Sequence, residues 1–595
     1  MIPQQPPIKV LEERSIAEGL VCFFAIALAL LCAGFRLTRG VDFTDEAYYA
    51  AVAYRFVLGD KPFVDQILVH QTAFLLFTPL VDLFHWVSGG TQGIVLFLRV
   101  MFLGFSISVA AVVCRVLRCA LHRNIALLAS LFCIVFFGEW VTFCYNNLGS
   151  LFLLVGLMLE FRATATDGAR PSFAVMGLAG LSNGFAVVSY PPMALPVAVS
   201  LAVAIGYLAS ARARMFGAFA VGFILATMPI MVVALSVGWT KLLSCAVASA
   251  NVSAEVGQGG GSQKILRILS GLWRICFPNQ LVEASTIVLA GIVILYRRSP
   301  LRIVLVAIVF LSLSDIRFGQ WGASFRYLIR FCLWSPLLFL LLKEKSALMR
   351  RLFWCVCLPS FVAAFVTAWT SANGADNAGV GLVPAAIVTM VMLALIVGDV
   401  FGAHKVLSRF GMVAVILSVL LALSVFQFNF VYGEGRPKSL KARVEKGPYW
   451  GLATTDFKAA LSRSLVEDLA KYGGSGRVLF YDFFPAGYLF TSMPPASNTT
   501  WEYNSTRSGI MGYLRDPCHR PATVFEMKAL YGHTGTRNRL DYSADDPLVV
   551  YVKSQCELIY ENQFYRVYAR RESQLLKEIS WIDNCPGRDK DSGPN

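Results

Sequence analysis

Long apolar runs, separated by short polar and basic segments, fill residues 1–431 of the chain. The first run, Ala17 to Phe35, has the length of about 20 residues that an α-helix needs to cross the hydrocarbon core of a bilayer. It lacks a small-residue cleavage site and further runs follow it, so it is not a secretory signal. The pattern predicts a polytopic α-helical membrane protein.

Basic residues cluster between alternate runs, and such clusters face the cytosol in membrane proteins. With the N-terminus in the cytosol, this rule gives about thirteen spans and places the C-terminus on the far side. The predicted spans are Ala17–Phe35, Gly93–Val116, Asn124–Cys144, Asn147–Phe161, Ser172–Tyr190, Met193–Ala209, a run ending near Val237, Leu281–Tyr296, Ile303–Ser314, Tyr327–Leu342, Leu352–Thr370, Val380–Phe401 and Met412–Val431.

Two outer segments are long: a first outer loop over residues 37–92 and a second over 239–280. The first contains the apolar stretch Ala73–Val87, which is short for a span and carries Asp82 and His85. An interfacial helix suits this stretch, because a span here would put the later basic cluster around Arg115 on the outer side.

From residue 432 to 595 charged and turn residues become frequent, which indicates a soluble domain. The pattern predicts a helix near Thr455–Tyr472 and strands at Gly476–Asp482, Pro547–Lys553 and Phe564–Arg570. An extracytoplasmic α/β domain fits this alternation. We interpret it as an acceptor-recognition or regulatory module, with a stabilising cap over the outer loops as the alternative.

Composition agrees with a membrane protein, since 56% of the 595 residues are hydrophobic and only 15% are charged. The net charge of +15 is explained by cytoplasmic loops, so no nucleic-acid partner is predicted. The 14 cysteines include no Cys-x-x-Cys pair and therefore no zinc signature. One disulfide among Cys518, Cys556 and Cys585 is expected if the tail lies outside the cytosol.

Three carboxylates, Asp42, Asp45 and Glu46, follow the first span directly. A carboxylate at the membrane boundary can act as general base toward a hydroxyl when its surroundings tune it. The alternative is a helix start, with Thr44 or Asp45 as cap and acids in the first turn. Both interpretations stay open at this point.

The stretch from Asp42 to Arg99 resembles the first outer loop of the GT-C membrane glycosyltransferases, in particular the lipid A aminoarabinose transferases and the protein O-mannosyltransferases. The features that carry the resemblance are Asp45-Glu46, Tyr48-Tyr49, Gly59-Asp60, the apolar stretch Ala73–Trp86 with Pro79, and Arg99. The family also has about thirteen spans and a small outer C-terminal domain. The resemblance therefore implies a GT-C-like catalytic domain over 1–431, with Asp45 as catalytic base and Glu46 or Asp42 in support.

The same resemblance implies substrate-binding roles in the first outer loop for Asp42, Tyr48 and Tyr49, and for His70-Gln71, where some relatives carry a Lys for the lipid phosphate. Among outer cations, Lys264 and Arg326 are the candidates for the departing phosphate, although such residues more often contact lipid headgroups. A second outer acid of some relatives is replaced by Asn146-Asn147, with Glu139 nearby. We therefore expect a mechanism with a single acidic residue as base. No metal or other cofactor is predicted, and whether a divalent cation takes part stays open.

The predicted function is transfer of a sugar from a polyprenyl-phosphate donor to an acceptor hydroxyl on the outer side of the plasma (inner) membrane. The acceptor is a lipid, a glycan or a protein, and the surrounding lipids are the other partners. The alternatives are a transporter or flippase of lipid-linked glycans, and a glycan polymerase or ligase. A transporter would require ionisable residues buried within the spans.

Overall fold

The computed structural model describes residues 16–68, 70–136, 140–165, 172–208, 212–253, 261–277, 288, 291, 299–313, 322–342, 347–371, 373–401, 404–474, 476–502, 504–528 and 545–571. Its membrane part begins with α1 (Ile16–Leu37), α2 (Asp45–Val57), α3 (Gln71–Ser88), α4 (Ile94–Leu117), α5 (Arg123–Ser130), α6 (Phe132–Val135), α7 (Tyr145–Thr164), α8 (Phe173–Ser189), α9 (Ala194–Tyr207), α10 (Arg212–Val237), α11 (Trp239–Ser253) and α12 (Gly261–Cys276). It continues with helices Ser299–Leu311, Ala323–Leu333, Ser335–Leu342, Ala347–Leu352, Leu358–Thr370, Ala378–Gly381, Val383–Val400 and Lys405–Asn429.

Eight helices in the described part of the chain are long and apolar enough to cross a membrane. Three shorter apolar helices accompany them, at Arg123–Val135, Phe173–Ser189 and Pro191–Tyr207. The predicted span Leu281–Tyr296 lies mostly outside the described residues. A helical polytopic membrane protein is therefore what the structure supports, and the number of about thirteen spans stays a prediction.

Two segments differ from the sequence prediction. The helix predicted to run to Cys144 ends at Val135, and the residues from Trp140 to Cys144 are irregular. The second outer segment is largely helical, because apolar residues recur at helical spacing along α12, as at Ile265, Ile268 and Leu272. Most of the glycine-rich stretch before α12 lies outside the described residues.

Helices α7, α8 and α10 pack closely through glycines. A Cβ added to Gly180 would stand 2.0 Å from the carbonyl oxygen of Phe219, and one added to Gly222 would stand 2.0 Å from the oxygen of Gly177. Small residues let helix backbones approach to this degree in membrane bundles. The close contact therefore depends on glycine at these positions.

The soluble domain contains a four-stranded sheet in the order β3-β4-β6-β5, in which β3 and β4 are parallel and the other pairs antiparallel. Its strands are β3 (Arg477–Tyr481), β4 (Pro521–Met527), β5 (Cys556–Glu561) and β6 (Tyr565–Arg570), and β1 (Ala442–Arg443) pairs with β2 (Ala453–Thr454) outside it. Its helices are Asp456–Tyr472, Asn504–Tyr513 and Pro547–Gln555.

The predicted helix near Thr455–Tyr472 and two of the predicted strands are confirmed as Asp456–Tyr472, β3 and β6. The predicted strand Pro547–Lys553 is wrong, since this segment is helical. Asp546 caps that helix by accepting a hydrogen bond from the backbone N–H of Leu548, and Pro547 occupies the first turn, where its missing N–H costs nothing. A local cap therefore outweighs the β-propensity of the valines.

The soluble domain packs directly on the loop between α1 and α2. The ring of Phe43 meets the rings of Tyr449 and Phe484 at centroid distances of 5.2 and 5.5 Å. These aromatic groups are buried and belong to the same hydrophobic core as the helices of the membrane part. The residues after α1 are thus enclosed by both parts of the protein.

Candidate functional site

The loop after α1 and the first turn of α2, residues 38–46, form what we call the acidic loop. Within it, Asp42 is buried and its Oδ1 accepts hydrogen bonds from the backbone N–H of Thr44 at 2.9 Å and from the Thr44 hydroxyl at 2.6 Å. Its Oδ2 accepts from the N–H of Glu46 at 2.8 Å. Asp42 therefore satisfies N–H groups at the start of α2, the capping role that the sequence had offered for Thr44 or Asp45.

Glu46 forms a buried ion pair with Arg99 of α4. Arg99 Nε donates to Glu46 Oε1 at 2.7 Å, and Arg99 Nη2 donates to Oε2 at 2.6 Å. The guanidinium also donates to the backbone carbonyls of Leu37, Arg39 and Gly40 at 2.8–3.1 Å. Both carboxylate oxygens of Glu46 are thus occupied by one arginine, which fixes the acidic loop to α4.

Asp45 is the part-exposed acid of the three, whereas Asp42 and Glu46 are buried. Its Oδ2 accepts a hydrogen bond of 2.5 Å from the hydroxyl of Tyr432, 387 residues further along the chain. Asp45 is the first residue of α2, where the helix dipole favours a negative charge. Asp45 is thus a part-exposed carboxylate at a helix start, bonded to a tyrosine from a distant part of the chain.

The soluble domain holds the acidic loop through backbone and side-chain hydrogen bonds. The backbones pair where the N–H of Gly40 donates to the carbonyl of Ala453 and the N–H of Ala453 donates to that of Thr38, each at 2.8 Å. Further bonds run from the N–H of Val41 to Glu434, from Lys458 to the carbonyl of Val41, and from the Tyr449 hydroxyl to the carbonyl of Asp42.

Gly40 is required by this arrangement, because its φ is +85° and an added Cβ would lie 2.1 Å from Cγ1 of Val431. The loop and the chain segment entering the soluble domain therefore approach as closely as their backbones allow.

An open cavity with an empty volume of about 270 Å³ lies against the acidic loop. It is lined by residues from the end of α1, the acidic loop, α4, the segment before α7 and the start of the soluble domain: Arg36, Arg39, Gly40, Asp42, Glu46, Arg99, Trp140, Val141, Val431 and Tyr432. Tyr432 thus contacts both Asp45 and the cavity. A small charged group is the kind of ligand that this charged lining suits.

Arg36 and Arg39 bring two positive charges to the cavity wall. Arg36 is buried and its Nε donates to Oε1 of Gln427 at 3.2 Å. Arg39 lies over the ring of Phe35 at 3.9 Å, has no carboxylate partner in the described part of the chain, and leaves its buried Nε without a hydrogen-bond acceptor. An anionic ligand in the cavity would supply that acceptor.

Tyr48 and Tyr49, predicted to bind substrate, are buried in an aromatic cluster. Tyr48 packs against Trp501 at a centroid distance of 4.7 Å, and Tyr49 packs edge-on against Trp140 at 6.3 Å. Burial raises the pKa of the Tyr49 phenol well above its ordinary value, so it is neutral. Through Trp140, Tyr49 supports the wall of the cavity rather than lining it.

His70 and Gln71 lie at the start of α3. The His70 ring stacks on Tyr145 at 4.4 Å, and burial lowers the pKa of His70 to about 4, so the imidazole is neutral at neutral pH. The Gln71 side chain is buried and bonded to the backbone of Phe63, Gln66 and Leu68. Neither residue therefore presents a positive charge to a phosphate.

Arg326 and the helix that carries Lys264, α12, both contact one short turn, Gly374–Asn377. Arg326 forms a bidentate ion pair with Asp376 of that turn, at 2.8 and 3.2 Å. Helix α12 packs on the same turn and carries Lys264, whose side chain is largely buried; burial lowers the pKa of this lysine. Among the described residues, neither cation belongs to the cavity beside Asp45.

Sequence reasoning missed Arg36, Arg39 and Tyr432. The two arginines carried a usable signal, since they follow the first span directly and precede the acids by a few residues. Tyr432 carried none, because only the fold brings it to Asp45. Glu139 and Arg317 lie outside the described residues, and within those residues no group of three or more His, Cys, Asp or Glu could hold a metal ion.

Comparison with known proteins gives matches to solved structures alone, since no family model and no curated protein matches. Three structures of the Archaeoglobus fulgidus oligosaccharyltransferase are similar to this chain. The one tethered to an acceptor peptide with the NVT sequon is 12% identical with a TM-score of 0.43, over 85% of this chain and 69% of that one. The apo form is 13% identical with a TM-score of 0.42, over 85% of this chain and 70% of that one. The complex with Zn and sulfate is 12% identical with a TM-score of 0.43, over 93% of this chain and 73% of that one.

The chain is thus similar to solved structures of an oligosaccharyltransferase. TM-scores below 0.5 at this identity carry no argument about activity, substrates or site residues. Those rest on the geometry around Asp45.

Proposed function

We propose that this protein is an integral-membrane glycosyltransferase that transfers a sugar from a polyprenyl-phosphate donor to an acceptor hydroxyl on the extracytoplasmic side. The observation that carries the proposal is that Tyr432 bonds the part-exposed carboxylate of Asp45 and also lines a cavity together with Arg36 and Arg39. A base for the acceptor and cations for a phosphate are the two elements that such a transfer needs.

Asp45 is assigned as general base. The oxygen of the acceptor hydroxyl forms a bond to the anomeric carbon of the sugar, and the carboxylate of Asp45 takes the hydroxyl proton. The bond between the anomeric carbon and the phosphate oxygen breaks, and polyprenyl phosphate leaves with the bonding electron pair. Asp42 and Glu46 support the base by fixing the loop that carries it.

Arg36 and Arg39 are assigned to the phosphate. Arg36 lies in the last turn of α1 and Arg39 two residues after that helix, where a lipid with its chain in the bilayer would present its headgroup. A guanidinium and a phosphate form charge-assisted, bidentate hydrogen bonds, and the unpartnered Nε of Arg39 is a donor for one of them. The leaving group gains negative charge during the reaction, so these cations would stabilise the transition state.

A disulfide in the soluble domain supports a location of the site outside the cytosol. Cys518 of the soluble domain is disulfide-bonded, whereas Cys556 is a free, buried thiol. Disulfides persist in oxidising compartments and are rare in the cytosol. Nucleotide sugars are absent outside the cytosol, so a lipid carrier is the donor that suits this side.

The test is sugar transfer by the purified full-length protein in detergent, with a panel of radiolabelled polyprenyl-phosphate sugars and an envelope extract of the native host as acceptor. Asp45→Asn should reduce transfer by about 10²–10⁴-fold, the range in which a positioned base acts. Asp82→Asn is the matched control, because Asp82 is an exposed acid of the same outer loop on α3. Equal transfer by the Asp45 variant and the wild type would refute the assignment.

A transporter of lipid-linked glycans is the second candidate, and Glu160 is the observation that favours it. This carboxyl group is fully buried within α7 and accepts hydrogen bonds from Asn183 and Ser200, and its Oε2 has no partner among the residues that the structure describes. Buried ionisable groups in spans often mark transport pathways. Translocation of a fluorescent polyprenyl-phosphate sugar in proteoliposomes, lost in Glu160→Gln and kept in Asp45→Asn, would favour transport over transfer.

A further inference from the structure

The segment that joins the last helix of the membrane part, Lys405–Asn429, to the soluble domain carries Tyr432 into the candidate site. From its position we infer that Tyr432 is a positioning residue for Asp45, by which the soluble domain completes the catalytic site. This inference rests on the proposed function and gives the soluble domain a role that neither acceptor recognition nor capping includes.

The phenol of Tyr432 approaches Asp45 in a defined direction. Its hydroxyl donates to Oδ2 at 2.5 Å. A base that a third group holds by a hydrogen bond has a fixed orientation, as in other base–orienter pairs. Tyr432 therefore fixes the orientation of the Asp45 carboxylate beside the cavity that Tyr432 lines.

The position of Tyr432 is itself tightly determined. Val431 and Gly435 exchange backbone hydrogen bonds of 2.6 and 3.0 Å across the turn that contains Tyr432. The adjacent Glu434 accepts from the N–H of Val41, and the ring of Tyr432 packs on Trp140 at 5.1 Å. The turn is therefore hydrogen-bonded to the acidic loop through Glu434 and packed against the cavity wall through Trp140.

Tyr449 supplies a matched comparison within the same domain contact. Its hydroxyl donates at 2.9 Å to the backbone carbonyl of Asp42, so it also joins the soluble domain to the acidic loop, but it does not touch the carboxylate of Asp45. If the domain acts as a stabilising cap alone, loss of either hydroxyl should have similar consequences. If Tyr432 positions the base, the two should differ.

The pH dependence of transfer distinguishes these cases, because a hydrogen bond to the carboxylate favours its charged form. In the described part of the chain, the phenols of Tyr49 and Tyr145 and the thiol of Cys144 face Asp45, and the neighbouring cavity is lined by Arg36, Arg39, Asp42, Glu46 and Arg99. All of these remain in Tyr432→Phe, so a shift of the acid limb reports the lost hydroxyl.

The experiment compares the full-length wild type with Tyr432→Phe, Tyr449→Phe, Asp45→Asn and the double variant Asp45→Asn/Tyr432→Phe. Transfer from the radiolabelled polyprenyl-phosphate sugars gives kcat, donor KM and the pH profile. We expect Tyr432→Phe to lower kcat by about 10–100-fold with donor KM within about twofold, the size of loss that misplacement of a reacting group causes. Its acid limb should move to higher pH, whereas Tyr449→Phe should lower kcat by less than about threefold and leave the limb in place.

Equal losses in the two tyrosine variants with unchanged pH profiles would overturn the inference while the proposed function stands. Transfer from no donor by the wild type would overturn the proposed function instead. In that case the contact between Tyr432 and Asp45 is tested by the thermal midpoints of the wild type, Asp45→Asn, Tyr432→Phe and the double variant. If the midpoint shifts of the two single variants add up to that of the double variant, the contact is overturned; if they do not add, the contact is supported.

Discussion

The ion pair between Glu46 and Arg99 gives the sharpest prediction about what holds the acidic loop in place. Arg99→Met keeps the length of an unbranched side chain on α4 and removes five hydrogen bonds, two to Glu46 and three to backbone carbonyls of residues 37–40. It also leaves the carboxylate of Glu46, which is 3% exposed, buried without its counter-ion.

A hydrogen bond to a charged group contributes about 1.5–3 kcal/mol to the free energy of unfolding. The sum over these five bonds would exceed the contribution that single side chains are observed to make. The desolvation that the pair already required in the folded state offsets most of this, so breaking a buried pair from one side costs about 3–5 kcal/mol. We therefore expect Arg99→Met to lower the apparent thermal midpoint of the purified protein clearly. Arg115→Met on an exposed position of the same helix should change stability by less than about 0.5 kcal/mol.

The measurement is the fraction of monodisperse protein that survives heating in detergent, read by size exclusion at one heating rate for all variants. Adding Glu46→Gln to Arg99→Met removes the unpaired charge and should recover part of the loss. A midpoint for Arg99→Met equal to that of Arg115→Met would refute the reasoning, as would a double variant that is less stable than Arg99→Met alone.

Three further predictions test other parts of the site and the soluble domain. Gly40→Ala places a Cβ about 2.1 Å from Val431 at a positive φ, so we expect loss of folded protein or of transfer; a variant as stable and active as wild type in the same heating and transfer assays would contradict this. Because burial lowers the pKa of His70 to about 4, the unfolded state binds more protons between about pH 6.5 and 4; stability should fall as pH falls through that window, and His70→Gln should flatten the thermal midpoint against pH. Cys518→Ser removes a disulfide and should destabilise the soluble domain by about 2–4 kcal/mol in limited proteolysis, while Cys556→Ser, which removes a free thiol, should not match that loss.

The membrane part was predictable to a useful degree because span length and hydropathy are local properties. Helix α4 begins and ends close to the expected residues and α10 ends at the expected Val237, since the bilayer allows few alternatives to a helix of this length. The segment before α7 was not predictable in the same way. Its residues Trp140 to Cys144 are apolar enough for a helix, but they are irregular where Trp140 and Val141 line the cavity.

The candidate site shows where local reasoning ends. The sequence identifies Asp42, Asp45 and Glu46 as a group, but the residue that caps α2 is Asp42 and not Thr44 or Asp45 as predicted, whereas Asp45 is part-exposed and its role as base stays a prediction. What separates them is contact with Arg99 and Tyr432, which lie tens to hundreds of residues away. The prediction of a strand at Pro547–Lys553 was wrong for a related reason. The valines of this segment favour a strand, and only the cap at Asp546 and the packing of the domain make it helical.

The contacts between the acidic loop and the soluble domain also set an order of events during biosynthesis. Asp45 emerges from the ribosome 387 residues before Tyr432, and Val41 emerges 417 residues before Lys458. At about 5–20 residues per second, this separation corresponds to a delay of roughly 20–80 s. Throughout that interval Arg99 is already present, but the acidic loop lacks the groups of the soluble domain that hold it, so a nascent chain has Asp45 and its membrane helices without the complete candidate site. Completion of the candidate site is thereby tied to delivery and folding of the last part of the chain.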